Sequence, residues 1–256
     1  MSDFKSSSLK TTLISIVVWF FTVSAGQSVQ VTGGSFTMGD NDGEADEIPE
    51  HEVTVSSFSL DRHQVTEKEY GSCVRAGRCT PAHYDNCMVW SRGKFMSVKV
   101  PSSYRNPDYP VVCVTWYQAQ AYCRFKGKTL PSEAQWEYAA KAGWKYTYAW
   151  GDSPPTSQNC PFPGKKHPQK TGSYKPNGWG LFDMTGNVWE WISDFYERDY
   201  YSFSEKRDPQ GPQAGLYRVI RGGGWYSGKK QLRITNRHWF SPAYPEVSIG
   251  FRCSKK

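Results

Sequence analysis

The chain has 256 residues, enough for one large domain or two small ones, and 38% of them are hydrophobic, which supports a buried core at this size. Only 21% are charged, which excludes a chain too polar to fold. The net charge of +7 is scattered, with basic runs no longer than the dipeptides Lys165-Lys166, Lys229-Lys230 and Lys255-Lys256, so no nucleic-acid partner is expected.

At the start of the chain, Lys5 and Lys10 precede an apolar run of eleven residues from Leu13 to Val23, followed by the small residues Ser24, Ala25 and Gly26. This is the pattern of a secretory signal peptide over residues 1–25. The run falls well short of the ~20 residues a membrane-spanning helix needs, so no stable membrane span is expected. The folded part is then secreted or periplasmic. The seven cysteines, Cys73, Cys79, Cys87, Cys113, Cys123, Cys160 and Cys253, all follow this segment. In an oxidising compartment they are expected to pair, with one left over.

Beyond the leader, Gly33 to Gly39 reads as a short strand between glycine turns. Residues 40–52 hold seven carboxylates in thirteen positions, spaced too loosely for a calcium loop and read as solvated. Val53 to Val55 and Phe58 to Leu60 read as short strands. Three helices are signalled by capping boxes: Thr66-x-x-Glu69, running to about Ala76; Thr115-x-x-Gln118, running to Lys126; and Ser132-x-x-Gln135, ending at Gly143. Trp136, Ala139 and Ala140 give the third a buried face. From Tyr146 to Trp189 the periodicity is lost, and so long an irregular stretch is functional or needs special staples. The 11 Trp, 16 Tyr and 13 Phe supply the area to hold such a fold together. A single domain over residues 29–253 accounts for the pattern.

Several segments together resemble one family. They are Gly33-Gly34-Ser35-Phe36-Thr37-Met38-Gly39, Asp61 to Tyr70, Pro110 to Trp116 with Ala119 to Cys123, Gly127 to Ala139, Asn177 to Trp191, Arg221-Gly222-Gly223-Gly224-Trp225 and Gly250-Phe251-Arg252-Cys253. In order and spacing this series is similar to the formylglycine-generating enzyme, or sulfatase-modifying factor, family. The resemblance implies an α+β fold: an irregular mixed α/β domain with little regular secondary structure, disulfide-linked and related in outline to C-type lectins.

Members that oxidise a substrate cysteine to formylglycine carry two cysteines after the Arg-Gly-Gly-Ser segment, and these bind copper. The resemblance puts those positions at Ser227 and Leu232, and the motif serine at Gly224. Soft thiolates select Cu(I), and neither serine nor leucine replaces them. No catalytic residue, no copper and no formylglycine-generating activity are therefore expected. A second branch of the superfamily uses non-haem iron held largely by a further helical domain, for which no room is expected in this chain, and its five histidines show no His-x-x-x-His spacing. The expectation is a non-catalytic binding or accessory module. The alternative is a periplasmic oxidoreductase or maturation enzyme of the same superfamily with an unrecognised site, as in the branch that serves pyoverdine chromophore formation.

The resemblance also implies a structural Ca²⁺, held by the side chains of Asp183 and Glu190 and the carbonyls of Gly186 and Val188. A second calcium loop, starting at Asn159, lacks its downstream carboxylate. Cys123 and Cys253 match the family's long-range disulfide, which closes a loop of about 130 residues for roughly 4–5 kcal/mol in the chain-entropy account. Cys73 and Cys79 suit a local bridge, which leaves Cys87 with Cys113 and a free, buried Cys160. The family's groove lies over Trp225 to Tyr244. Its candidate ligand residues are Trp225, Tyr226, Arg233, Arg237 and Trp239, with Lys229, Lys230, His238 and Tyr244 nearby. Aromatics and cations together suit an anionic or extended peptide or glycan, or a protein partner. A monomer is expected.

Overall fold

Local sequence chemistry accounts for the regular elements of the chain, whose computed structural model describes residues 28–161 and 165–256. The expected leader at 1–25 lies outside the described residues. In chain order the strands begin with β1 (Ser28–Val31), β2 (Gly34–Met38), β3 (His51–Val55) and β4 (Phe58–Asp61). Helix α1 (Glu67–Arg75) leads to the hairpin β5 (Cys87–Ser91) and β6 (Lys94–Val98), then to α2 (Trp116–Phe125) and α3 (Glu133–Lys141). After a long irregular stretch come β7 (Trp189–Phe195), β8 (Arg218–Arg221), β9 (Arg237–Phe240), β10 (Ile249–Gly250) and β11 (Ser254–Lys255). This is the sparse α+β architecture that the sequence implied. No helix among the described residues is long and apolar enough to cross a membrane.

All three helices start at the predicted capping boxes. Thr66, Thr115 and Ser132 each accept from the N–H three residues on, and Glu69, Gln118 and Gln135 reach back to the cap N–H groups at 2.9–3.0 Å. Four sheets follow. One runs β1-β4-β11 and a second β10-β7-β8-β9, beside the hairpins β2-β3 and β5-β6. The β10–β7 pair is parallel and the remaining pairs are antiparallel. Three disulfides, Cys73–Cys79, Cys87–Cys113 and Cys123–Cys253, tie the pieces together, and Cys160 is free and buried.

Helix α3 departs from the amphipathic reading. Every residue from Glu133 to Lys141 is buried. Trp136, Ala139 and Ala140 pack in the core with Leu181, Met184 and Ile192, as the spacing predicts. The opposite face is buried too, because its charges meet partners from the C-terminal half. Arg221 donates to Glu133 at 3.1 Å and to Glu137 at 2.5 Å, and Arg237 forks onto Glu133 at 2.8 and 3.0 Å. Lys141 pairs with Glu137 at 2.8 Å. Burial works against the Glu137 carboxylate, but Lys141 and Arg221 outweigh it and hold its pKa below the usual value.

The acidic loop is likewise less solvated than its composition suggested. Glu47 is fully buried, clasped by Arg233 at 2.6 and 2.7 Å, and Lys230 meets Glu44 at 3.1 Å. Planar guanidinium forks match carboxylates bidentately, so one arginine organises this turn.

Candidate functional site

The segment after β8 turns sharply at Gly222 and Gly223. Gly223 has φ +76°, and a Cβ there would stand 2.8 Å from the Gln231 carbonyl, so the chain folds back closely on itself. Of the two positions that the resemblance assigns to copper thiolates, Ser227 is buried, and its hydroxyl accepts from the Gly224 N–H at 2.9 Å. Leu232 is 1% exposed and packs with Tyr148 and the free Cys160. Burial pushes the Cys160 thiol up to about 12, so it stays protonated and inert at neutral pH.

Beside this turn opens a cavity of about 350 Å³. Its floor is the β10-β7-β8-β9 sheet, which contributes Trp189, Ile220, His238, Trp239, Phe240 and Ile249. Its rim is the β5–β6 hairpin, which contributes Trp90 and Phe95. Phe95 packs edge-on against Trp90 at 4.9 Å and against Phe240 at 5.2 Å, joining hairpin to sheet. The Cys87–Cys113 bridge anchors the hairpin, and Met88 pairs with the 245–247 segment through bonds of 2.8 and 3.0 Å. That pairing holds Glu246 at the cavity wall.

Glu246 is the buried acid of this site. It accepts from the Ser248 N–H at 2.7 Å and the Ser248 hydroxyl at 2.6 Å, and Ser248 Oγ stands 3.2 Å from Tyr226 Oη. Burial, only partly offset by these bonds, pushes its pKa up to about 7. His238 stacks edge-on against Trp189 at 5.3 Å, and the packing around it lowers its pKa below the usual histidine value. The cavity therefore combines aromatic faces with one carboxyl group near its titration point and one imidazole.

Of the expected groove residues, Tyr226 and Trp239 line this cavity. Trp225 sits behind it, edge-on to Tyr226 at 5.0 Å and to Tyr104 at 6.0 Å. Arg233 and Arg237 do not line it, which corrects the cationic groove expected from the sequence: their charges are committed to Glu47 and Glu133 in the interior. Glu246, Ser248, Trp90 and Phe95 were missed. The one signal that could have found its aromatics was the Arg92-Gly93 turn between the apolar runs Met88-Val89-Trp90 and Phe95-Met96.

The calcium expectation also changes. Residues 183–190 form a tight loop with positive φ at Asp183, Gly186 and Asn187. The Gly186 and Val188 carbonyls and the Glu190 carboxylate converge as expected, but the Asp183 carboxylate turns away to accept from the Gly172 N–H at 2.7 Å. It is the Asp183 carbonyl that joins the others. All four oxygens surround the side-chain nitrogen of Gln64, and Arg252 forks onto Glu190 at 2.7 Å on both oxygens. The residues present do not fit an ion there. Among the described residues, no group of three or more His, Cys, Asp or Glu side chains is placed to hold a metal.

Comparison with known proteins agrees with the family resemblance and the fold. The profile of the "Sulfatase-modifying factor enzyme 1-like domain" matches residues 21–256. The chain is 38% identical over 235 residues to "Serine/threonine-protein kinase pkn1" of Chlamydia pneumoniae, covering 90% of this chain but 38% of that protein. It is 35% identical over 276 residues to the "Formylglycine-generating enzyme" of Streptomyces coelicolor, covering 88% of each. The solved structure of PvdO from Pseudomonas aeruginosa superposes with a TM-score of 0.75 at 27% identity, covering 90% of this chain and 94% of that one.

Proposed function

The chain belongs to the sulfatase-modifying factor family, and from that premise we propose that it is a secreted or periplasmic binding or accessory module that keeps the family's framework without its copper oxidase chemistry. The observation that carries this reading is the pair Ser227 and Leu232. One hydroxyl is committed to a backbone N–H and one alkyl side chain to the core, and neither supplies a thiolate for monovalent copper. The binding role rests on the aromatic cavity. Trp90, Phe95, Trp189, Trp239 and Phe240 offer faces that stack on sugar rings or hold peptide side chains, and the lining contains no lysine or arginine. Its one carboxyl group, Glu246, favours an uncharged or cationic group over an anion. The ligand class is thus an extended peptide or a glycan, bound by a monomer.

A binding screen against peptide and glycan arrays tests this. We expect a ligand whose affinity falls at least about tenfold in Trp90→Ala, with the fold intact. A ligand whose affinity is unchanged in that variant places the binding surface elsewhere and defeats the proposal.

One observation favours a second reading, an oxidoreductase or maturation enzyme of the same superfamily. A buried carboxyl group with its pKa near 7 is poised for proton transfer. Turnover that is lost in Glu246→Gln while ligand affinity persists would favour the enzyme.

A further inference from the structure

The loop 183–190 is where the sequence implied an ion, and its centre is filled by the chain itself. Gln64, in the segment between β4 and α1, is fully buried. Its Nε2 lies 3.0 Å from the Val188 carbonyl and 3.0 Å from Glu190 Oε1. The Asp183 and Gly186 carbonyls stand at 3.3 and 3.4 Å. Four oxygens thus converge on one amide nitrogen, which has two hydrogens to share among them.

A side-chain amide can be turned end for end, so its orientation must be argued from its neighbours. Here a backbone group decides it. The Gln169 N–H can only donate, and it donates to Asn187 Oδ1 at 2.8 Å. Asn187 therefore presents its nitrogen on the other side, where it donates to Gln64 Oε1 at 3.0 Å and to the Gln169 carbonyl at 3.2 Å. With Oε1 accepting from Asn187, Nε2 must face the four oxygens.

Charge points the same way. Calcium takes six to eight oxygens at about 2.3–2.6 Å, and an ion at that range from these four oxygens would collide with Nε2. Both oxygens of Glu190 are already used: Arg252 donates to each at 2.7 Å, and Trp136 Nε1 donates to Oε2 at 2.9 Å. A guanidinium this close would also repel a divalent cation. We propose that the Gln64 carboxamide, with Arg252 neutralising Glu190, does the work of a calcium ion in this loop, so that the protein holds it without metal.

The purified protein tests this by melting temperature and by terbium luminescence excited through Trp136, whose indole touches Glu190. In the wild type we expect the same melting temperature in EDTA and in calcium, and no tryptophan-sensitised terbium emission. Gln64→Glu exchanges the donor for a carboxylate. It should melt lower in EDTA, recover in calcium, bind one equivalent and give sensitised emission. Gln64→Met removes the donors with little change of volume and should melt about 5–10 °C lower, with no recovery in calcium. A wild type that loses stability in EDTA and regains it in calcium, with sensitised terbium emission that calcium displaces, overturns the proposal. So does a Gln64→Glu protein that folds but gains no calcium.

Discussion

Helix α3 and the aromatic cavity invert the usual division of side chains between interior and surface. Around α3 the charges lie inside, with Glu133, Glu137, Lys141, Arg221 and Arg237 all nearly inaccessible and paired. At the cavity the large apolar rings face outward, with Trp90, Phe95, Tyr226 and Trp239 between 38% and 56% exposed. The chain uses its cations to fix a fold with little regular structure and leaves its aromatics uncovered. Contiguous exposed apolar surface of this kind is what the proposed binding role rests on. The contrast implies that substitutions in the first region act on stability and those in the second on binding.

The largest effect is expected at Arg221. Arg221→Met leaves Glu133 and Glu137 short of a partner in the interior and should cost about 3–5 kcal/mol in urea unfolding. A cost below about 1 kcal/mol would mean that the buried layer does not organise the fold. The same layer sets an acid limit. Because the folded pKa of Glu137 lies below its unfolded value of 4.5, its contribution is present above that pH and is lost as pH falls below it.

Glu246 joins the two regions, being a buried acid at the aromatic cavity, and its effect is intermediate. Its folded pKa of about 7 exceeds the unfolded 4.5, so its own contribution to stability is full below pH 4.5, declines as pH rises to about 7 and is gone above that. Glu246→Gln should remove this slope. It should stabilise the protein at pH 8 by about 3 kcal/mol and change it by no more than about 1 kcal/mol at pH 5. Equal effects at both pH values would contradict the assignment. The smallest stability change is expected for Trp90→Ala, within about 1 kcal/mol. Its effect should appear in ligand affinity instead.

What the sequence made legible was what depends on neighbours along the chain. The three capping boxes place Thr66, Thr115 and Ser132 three residues from their partners, so the helix starts could be read directly. The interior layer was not legible, because a lone arginine in a sequence does not reveal its partner. Arg233 and Arg237 lie in the segment that the family's groove occupies, yet they bond Glu47 and Glu133, which are 186 and 104 residues away. Gln64 is a plain amide in sequence, and only folding surrounds it with the 183–190 loop. The cavity was half legible: Tyr226 and Trp239 came with the groove, but the β5–β6 hairpin that completes it is brought there by the Cys87–Cys113 bridge and the pairing of Met88 with residues 245–247.

The proposed loss of copper chemistry rests on Ser227 and Leu232, the two positions that the resemblance assigns to thiolates. The direct measurement is to incubate the purified protein with Cu(I), oxygen, a thiol reductant and a Cys-x-Pro-x-Arg peptide, and to follow the peptide by mass spectrometry. The predicted result is an unchanged cysteine and no stoichiometric copper on the protein. A peptide aldehyde that forms only when this protein is present would contradict it.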